Sequence, residues 1–273
     1  MQLKQTYQWI TGLTLVAALV ALTSFSGCGN GGPIDPPKPP DVAEITLSFD
    51  LENGSEELAF QAPFTDVMGY QHRLLTLKFY LSNLVLVKAD GSTEEVDEVV
   101  LFDYKPIDPS LNNPQWTREV SFTLPSGDYT GIQFGVGIPA DINDEDPTTY
   151  ANEDPLSAFS NMYWNWATMY RFIILEAESD TGTGSFDHDI LIHTGLDDLY
   201  RTSPVYPISL SLASGDQAAL TLSLDWNDIW YAEGASILLK EEHITHTTDT
   251  QEDFDLASRF TDNFVAGLKI NQE

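Results

Sequence analysis

The side chains in this sequence that could bind a metal are mainly those of histidine and a single cysteine. The histidines are His72, His188, His193, His243 and His246, and the cysteine is Cys28. Neutral imidazole is a ligand for copper, zinc and nickel, whereas one cysteine excludes an internal disulfide and a cysteine-built zinc site. The sequence contains no Gly-x-Ser-x-Gly, phosphate-loop or His-Glu-x-x-His motif. Because the commonest hydrolase and nucleotide-binding signatures are absent, we expect a protein that is not an enzyme.

The spacing of the histidines limits which of them could share one ion. His188 and His193 are five residues apart, so in a regular strand they face opposite sides, and a bulge between them is needed before both bind one metal. His243 and His246 have a spacing that suits a helical turn, but the threonines after them favour strand or loop, and we expect a surface pair. His72 is expected to be exposed.

The densest aromatic segment, residues 161–172, is the second feature that could carry chemistry. Trp164 and Trp166 lie two residues apart and would share one face of an extended chain, which Met162 can join. Such rings usually form part of a core or a platform for a ligand. A thioether, imidazole and a modified indole would instead suit a soft metal such as Cu(I). The residues alone favour core packing and leave the other two interpretations open.

Acidic residues dominate the charge of the chain, with 42 Asp and Glu against 12 Lys and Arg and a formal net charge of −30. Affinity for nucleic acid comes mainly from basic residues that neutralise phosphates, so we exclude nucleic acid as a partner. The acidic run at residues 141–146 offers oxygen ligands for Ca²⁺, but it lacks the glycine and the distal glutamate of an EF-hand loop, and we expect a solvated loop. A hydrolase that uses paired carboxylates has only the abundance of these residues in its favour.

Residues 1–27 are typical of a lipoprotein signal peptide. An apolar run from Trp9 to Phe25 is short for a membrane span and lies where a signal-peptide core belongs. The sequence Phe-Ser-Gly-Cys that ends at Cys28 follows the bacterial lipobox pattern, which predicts a membrane anchor through lipid on that cysteine. The alternative is a signal peptide cut elsewhere, with Cys28 incidental. Residues 28–43, rich in glycine and then proline, are expected to form a tether, and residues 44–273 the folded domain.

Apolar residues alternate with polar ones along much of the remaining chain, as in half-buried strands. The alternation is found at residues 45–51, 75–81, 120–124, 132–138, 170–174, 208–212 and 220–226. Its phase shifts at Ser82 and Asn83, which predicts a β-bulge. Near the C-terminus apolar residues recur every three or four positions, at Phe254, Ala257, Phe260, Phe264 and Leu268. We predict an all-β fold, an antiparallel β-sandwich of Greek-key or jelly-roll type, with short helical insertions and a C-terminal amphipathic helix.

Three segments of this sequence resemble one known family. The most specific runs from Met162 to Glu176 and contains Trp-x-Trp followed by Tyr-x-Phe-x-x-Leu-Glu. The strand at residues 78–86 with the Asp-Gly turn after it, and the hairpin at residues 124–137, support the match. Residues 192–195 occupy the place of a Tyr/Phe-His-x-Gly motif. Together they resemble the MbnP-like family, the methanobactin-associated copper-binding periplasmic proteins and their relatives in Bacteroidetes, over roughly residues 44–270.

The resemblance implies a metal and a set of site residues. Members of the wider group bind copper through imidazoles, some with an oxidised tryptophan, kynurenine, that a di-haem peroxidase makes. It therefore implies copper as the cofactor, His193 as a ligand, and a di-haem peroxidase as a partner. Trp164 and Trp166 match the aromatic motif and are the candidates for oxidation. His188 and Met162 are the second choices as ligands.

The sequence also departs from the family pattern at several positions. Met169 stands where many relatives have glycine, and Asp154 stands where methanotroph members have a histidine before Pro-Leu. Residues 99–103 and 260–273 contain no histidine, although relatives often have one in these places. We predict a monomeric lipoprotein of the outer membrane, facing the periplasm or the surface, that binds or handles copper without catalytic turnover. The alternative is an envelope binding or assembly lipoprotein that recognises a peptide, glycan or partner protein, with the metal site lost.

Overall fold

β-strands dominate the structure, a computed structural model that describes residues 41–96, 99–105, 118–164 and 168–272. In chain order the strands are β1 Val42–Asn53, β2 Glu56–Glu57, β3 Phe64–Thr65, β4 Gln71–Lys88, β5 Thr93–Val96, β6 Val100–Asp103, β7 Glu119–Pro125, β8 Gly127–Val136, β9 Tyr163–Trp164, β10 Met169–Asp180, β11 His188–Gly195, β12 Arg201–Thr202, β13 Tyr206–Leu212, β14 Gln217–Asp225, β15 Ile244–Thr245 and β16 Lys269–Gln272. The α-helices are α1 Ala140–Asn143, α2 Trp226–Trp230 and α3 Gln251–Gly267. Short 3₁₀ turns lie at Pro147–Thr149, Ala158–Ser160 and Asp197–Leu199.

The strands form two sheets. In the first, β1 lies between β14 and β7, with β16 beyond β14 and β2 paired to the end of β1. The second runs in the order β12-β8-β4-β10-β11-β15, and β3, β5, β6, β9 and β13 pair along its strands. Most pairs are antiparallel, but β1 with β14 and β11 with β15 are parallel. Alternation along one strand does not reveal these directions, because the side-chain period is the same in both cases.

The two sheets bury a large apolar core between them. Ile45, Leu47, Phe49 and Leu51 of β1 are fully buried, while the residues between them are partly exposed. Phe49 packs edge-to-face on Phe79 of the second sheet, with ring centroids 4.7 Å apart. Complete burial of one such side chain contributes about 1.5–3 kcal/mol. The prediction of an all-β, sandwich-like fold is confirmed.

The long strand β4 is the centre of the second sheet and contains the predicted bulge. Its first half pairs with β10, and its second half pairs with β8. The register with β8 shifts between Ser82 and Val85, and Asn83 has a φ of 49°. The bulge lets the apolar side chains on both sides of the shift reach the same core.

The helix α3 closes one side of the core, as the C-terminal stripe predicts. The hydroxyl of Thr250 accepts a hydrogen bond from the backbone three residues on and caps the helix. Phe260 and Phe264 are fully buried, and the ring of Phe264 lies 5.2 Å from that of Phe79. Leu268, the last residue of the predicted stripe, is buried but lies just beyond the helix.

A second, smaller apolar cluster lies on the opposite face of the second sheet and supports the segment that carries Trp164. Met162, Tyr170 and Tyr80 are fully buried in it. The hydroxyl of Tyr170 donates to the carbonyl of Leu156 at 2.6 Å and so ties the preceding loop to the sheet. The hydroxyl of Tyr80 donates to the carbonyl of Pro155 in the same loop at 2.7 Å, so both buried phenols have a hydrogen-bond acceptor.

The described residues begin just before β1. This strand starts at Val42, two residues before Glu44, where the folded domain was predicted to begin. The predicted signal peptide, Cys28 and most of the tether lie outside the described residues. Among the residues that are described, no helix has the length and apolar character that crossing a bilayer requires.

Candidate metal centre

The candidate metal centre lies on the outer face of the second sheet, where β10, β11 and β15 are neighbours. Ile174 of β10 is the register partner of His193 of β11, and Glu176 lies two residues further along the same face. The Nε2 atom of His193 is 2.8 Å from Oε1 of Glu176. The other carboxylate oxygen of Glu176 accepts a hydrogen bond from the hydroxyl of Thr76 at 3.0 Å.

The second imidazole of the centre comes from His246. Because β11 and β15 are parallel and Ile192 pairs with Thr245, the next residues in register are His193 and His246. Their Nδ1 atoms are 3.2 Å apart. The hydroxyl of Thr247 donates to the carbonyl of His193 at 2.8 Å, which holds this segment against the strand. His193 is 8% exposed, whereas His246 is half-buried, so the pair is accessible from the His246 side.

The hydrogen bond to Glu176 determines which nitrogen of His193 could bind a metal. A carboxylate only accepts, so Nε2 of His193 carries a proton and, in the neutral ring, Nδ1 carries a lone pair. That lone pair points at Nδ1 of His246, which in the metal-free protein must therefore carry the proton between the two rings. When His246 instead carries its proton on Nε2, the other neutral tautomer, both Nδ1 atoms have lone pairs directed at the same point.

Trp164 packs against both imidazoles. Its ring centroid is 6.0 Å from that of His193 and 5.4 Å from that of His246, in both cases close to perpendicular. The guanidinium of Arg171 lies 5.4 Å from the same indole. Trp164 is the register partner of Met169, which has a φ of 58° and is therefore in the left-handed region that favours glycine. This conformation is the physical reason that glycine suits the position.

The surroundings of the centre favour a neutral His246 and an ionised Glu176. The hydrogen bond from His193 is the largest of the causes that lower the pKa of Glu176, and the bond from Thr76 acts in the same direction. Burial, and secondly the neighbouring His193, lower the pKa of His246. Burial also lowers the pKa of the Arg171 guanidinium. The lowered pKa of His246 favours its neutral imidazole, the form that binds a metal.

The pair of nitrogens fits one metal ion, although the protein ligands are few. Two imidazole nitrogens at about 2.0–2.1 Å from a tetrahedral metal lie about 3.3 Å from each other, close to the 3.2 Å observed. In residues 41–96, 99–105, 118–164 and 168–272, no group of three or more His, Cys, Asp or Glu side chains is placed to hold a metal. A tetrahedral ion held by His193 and His246 would have two further positions for other ligands.

The described structure does not place the other predicted ligands, His188 and Met162, beside His193. His188 lies at the start of β11 and stacks on His243, with ring centroids 3.9 Å apart, so it does not share a site with His193. His188 and His193 lie on opposite faces of β11, as their five-residue spacing predicts. Met162 is fully buried in the second apolar cluster. Trp166 lies outside the described residues.

Two expectations about histidines were wrong. His243 and His246 do not form a pair with each other, because successive positions along the strand direct them to opposite faces of β11 and β15. His72 is fully buried rather than exposed. Its Nε2 is 3.0 Å from Oδ2 of Asp66 and its Nδ1 is 2.6 Å from the hydroxyl of Ser179. These partners satisfy both ring nitrogens and allow the burial.

Sequence reasoning missed His246 and Glu176 as site residues. His246 follows His193 by 53 positions, and only the parallel pairing of β11 with β15 brings the two together. The sequence does indicate the face on which Glu176 lies. Residues 173, 175 and 177 of β10 face the core, so Glu176 lies on the other face together with Ile174. Nothing in the sequence pattern directed it toward His193 until strand pairing was known.

Comparisons with known proteins identify the family of the chain. The MbnP family model matches residues 42–250, more than half of the chain. One solved structure, MbnP from Methylosinus trichosporium, is 18% identical with a TM-score of 0.46, over 69% of this chain and 77% of that chain. No curated protein matches. On the family match, the chain belongs to the MbnP family.

Proposed function

We propose that this protein is a lipid-anchored protein of the cell envelope that binds copper at His193 and His246 and handles it without catalytic turnover. The observation that carries the proposal is the pair of Nδ1 atoms 3.2 Å apart. Glu176 supports it, because metal-binding imidazoles usually donate their other N–H to a carboxylate or carbonyl. Membership of the MbnP family supports copper as the metal.

The donor set favours an exchangeable copper ion over structural zinc. Structural zinc sites are closed by four protein ligands, whereas the described residues supply two imidazoles here. Imidazole suits copper, and copper binds most nitrogen sites more tightly than other first-row divalent metals. An open position leaves room for a ligand from a donor or acceptor protein, which suits transfer of the ion.

Trp164 is the residue that we propose for oxidation to kynurenine, because its indole contacts both imidazoles. A haem peroxidase with two equivalents of hydrogen peroxide would cleave the C2–C3 bond of the indole and add two oxygen atoms. Two molecules of water form, and hydrolysis then removes formic acid. The net mass change is about 4 Da. Kynurenine would offer an aromatic amine as an additional nitrogen donor beside His193 and His246.

The test is a titration with Cu(I) under anaerobic conditions against a competing chelator. The wild-type protein is expected to bind copper more tightly at this centre than either H193Q or H246Q, each of which should lose at least a hundredfold in affinity. T248A is the matched control, because Thr248 is exposed and lies beside the same segment. Unchanged affinity in both histidine variants would contradict the proposal. Fragmentation of the peptide that contains residues 119–171 reports separately on oxidation of Trp164.

The lipid anchor is tested independently of copper. We propose that Cys28 carries diacylglycerol and holds the domain at the outer membrane, on the strength of the lipobox-like sequence before it. C28S is expected to move the protein from the membrane fraction to the soluble fraction. If the wild-type protein is itself soluble and Cys28 is unmodified by intact mass, this part of the proposal fails while the copper site stands.

One observation favours the alternative function, recognition of a peptide, glycan or partner protein. An open groove of about 580 Å³ is lined by Tyr163, Trp164, Ala158 and Asp146, with Pro147 and Thr148. Aromatic rings beside a carboxylate are a common platform for such ligands. If the groove rather than the imidazoles carries the function, W164A should abolish ligand binding while H193Q leaves it unchanged.

A further inference from the structure

We propose that His188 and His243 form a second metal site, which takes a borderline divalent cation such as Cu²⁺. His243 directly precedes β15, whose parallel register with β11 places it diagonally across from His188. The two ring centroids are 3.9 Å apart and the ring planes are inclined by 37°. Imidazole is the preferred ligand for such cations.

The backbone fixes the tautomer of each ring in this second pair. Nε2 of His188 is 2.7 Å from the carbonyl of Leu239, and Nδ1 of His243 is 2.6 Å from the carbonyl of Asp189. A carbonyl only accepts, so these nitrogens carry protons. In the neutral rings Nδ1 of His188 and Nε2 of His243 therefore carry lone pairs. An N–H that donates to a backbone carbonyl is the usual way in which a metal-binding imidazole is oriented.

The surroundings of the pair admit a cation. His188 and His243 are both half-buried, so each residue keeps some exposure to solvent. The neighbouring charged residues in sequence are mostly acidic and include Asp187, Asp189 and Glu241. The nearest basic residue along the chain, Lys240, lies over the ring of Tyr70 at 5.1 Å. A local excess of negative charge raises the concentration of cations at the site.

This site is separate from the centre at His193 and His246. Successive residues of a strand face opposite sides, and both His188 and His193 of β11 and His243 and His246 around β15 are an odd number of positions apart. The two histidine pairs therefore lie on opposite faces of this part of the sheet. No third His, Cys, Asp or Glu ligand joins either pair within the described part of the chain. A four-coordinate ion held by two imidazoles would have two coordination positions left for water or another ligand. The protein would then carry two metal ions per chain, each held by one imidazole from β11 and one from a residue that flanks β15.

The experiment measures Cu²⁺ retained after dialysis of the purified full chain. The variant H193Q/H246Q, which lacks the first pair, is expected to retain one Cu²⁺ per chain, with nitrogen splitting in its electron paramagnetic resonance spectrum. Adding H188Q/H243Q to this background should remove that ion. E241Q in the same background is the control for charge alone and should retain it. Retention of no ion by H193Q/H246Q, or equal retention after H188Q/H243Q is added, would overturn the proposal.

A second measurement uses the unmodified wild-type chain, in case the fourfold variant does not fold. Diethylpyrocarbonate modifies free imidazole nitrogens, and peptide fragmentation localises the adducts. Cu²⁺ is expected to protect His188 and His243 at least fivefold, while protection that is confined to His193 and His246 contradicts a second site. The two proposed sites can also fail separately. If only the second site binds copper, H188Q/H243Q should retain no ion, while H193Q/H246Q should retain one.

Discussion

Replacing Glu176 by glutamine tests how far the carboxylate prepares His193 for a metal. The substitution keeps the shape of the side chain but removes the charge that faces Nε2 of His193 at 2.8 Å. A hydrogen bond to a charged group contributes about 1.5–3 kcal/mol. The Glu176 side chain is 31% exposed and that of His193 is 10% exposed, so solvent screening favours the lower end of this range.

We therefore expect E176Q to weaken copper binding by about 10- to 30-fold, since each 1.4 kcal/mol corresponds to a factor of ten. The effect should be constant between about pH 5 and pH 8, because the pKa of Glu176 is lowered from its usual 4.5 and the carboxylate stays ionised there. The assay is the competition titration with Cu(I), repeated at several pH values, with thermal unfolding to confirm that the variant is folded.

The matched control is T76V, which removes the hydrogen bond to the other oxygen of Glu176 and leaves the contact with His193 intact. We expect T76V to weaken binding by less than about threefold, because the charge of the carboxylate is kept. Wild-type affinity in E176Q, or an equal loss in T76V, would refute the view that Glu176 orients and polarises the imidazole of His193.

Four further predictions concern pH and stability. The lowered pKa of His246 means that the unfolded chain binds more protons below pH 6.5, so the free energy of unfolding of the metal-free protein should fall as pH drops below 6.5. Copper should dissociate with a midpoint below pH 6.5, and a midpoint above it in a pH titration would contradict the order of pKa values. M169G should raise the free energy of unfolding by about 1 kcal/mol, because glycine removes the cost of the positive φ at Met169, and a decrease in chemical denaturation would disprove this. H72L should lower the free energy of unfolding by about 3 kcal/mol, because it leaves the carboxylate of Asp66 buried without its imidazole partner. A loss below about 1 kcal/mol would show that the hydroxyl of Tyr231 and the backbone N–H groups of Met68 and Tyr70 satisfy this carboxylate.

The fold was largely predictable because its signals are local. Period-two alternation at residues 45–51 identified β1, and the stripe through Phe260 and Phe264 identified α3, since each pattern depends only on neighbours in sequence. The phase shift at Ser82 likewise marked the bulge in β4. Strand directions were not predictable. The parallel pairing of β1 with β14 depends on how distant strands meet in space.

The candidate site was predictable only in part, and for the same reason. His193 and Trp164 were identified from a family resemblance carried by short motifs. His246 is 53 residues away from His193, and its pairing depends on where β15 joins the sheet. His72 was misjudged because a single histidine gives no sign of whether partners such as Asp66 will meet it in the core.

Met169 shows how a departure from a family pattern can be compatible with the fold. Its positive φ explains why glycine suits the position, and the methionine tolerates it with a side chain that is 37% exposed and close to the hydroxyl of Tyr163. The strain lies directly across from Trp164 in the strand pair. The backbone requirement could not be read from the sequence of one chain.

The most direct test of the copper centre is a crystal structure of the copper-loaded protein with an anomalous difference map at the copper absorption edge. The arrangement of the two imidazoles predicts a peak between Nδ1 of His193 and Nδ1 of His246, about 2 Å from each nitrogen. A fully loaded crystal with no peak at this position, or with copper bound only elsewhere on the chain, would contradict the assignment of His193 and His246 as the copper ligands.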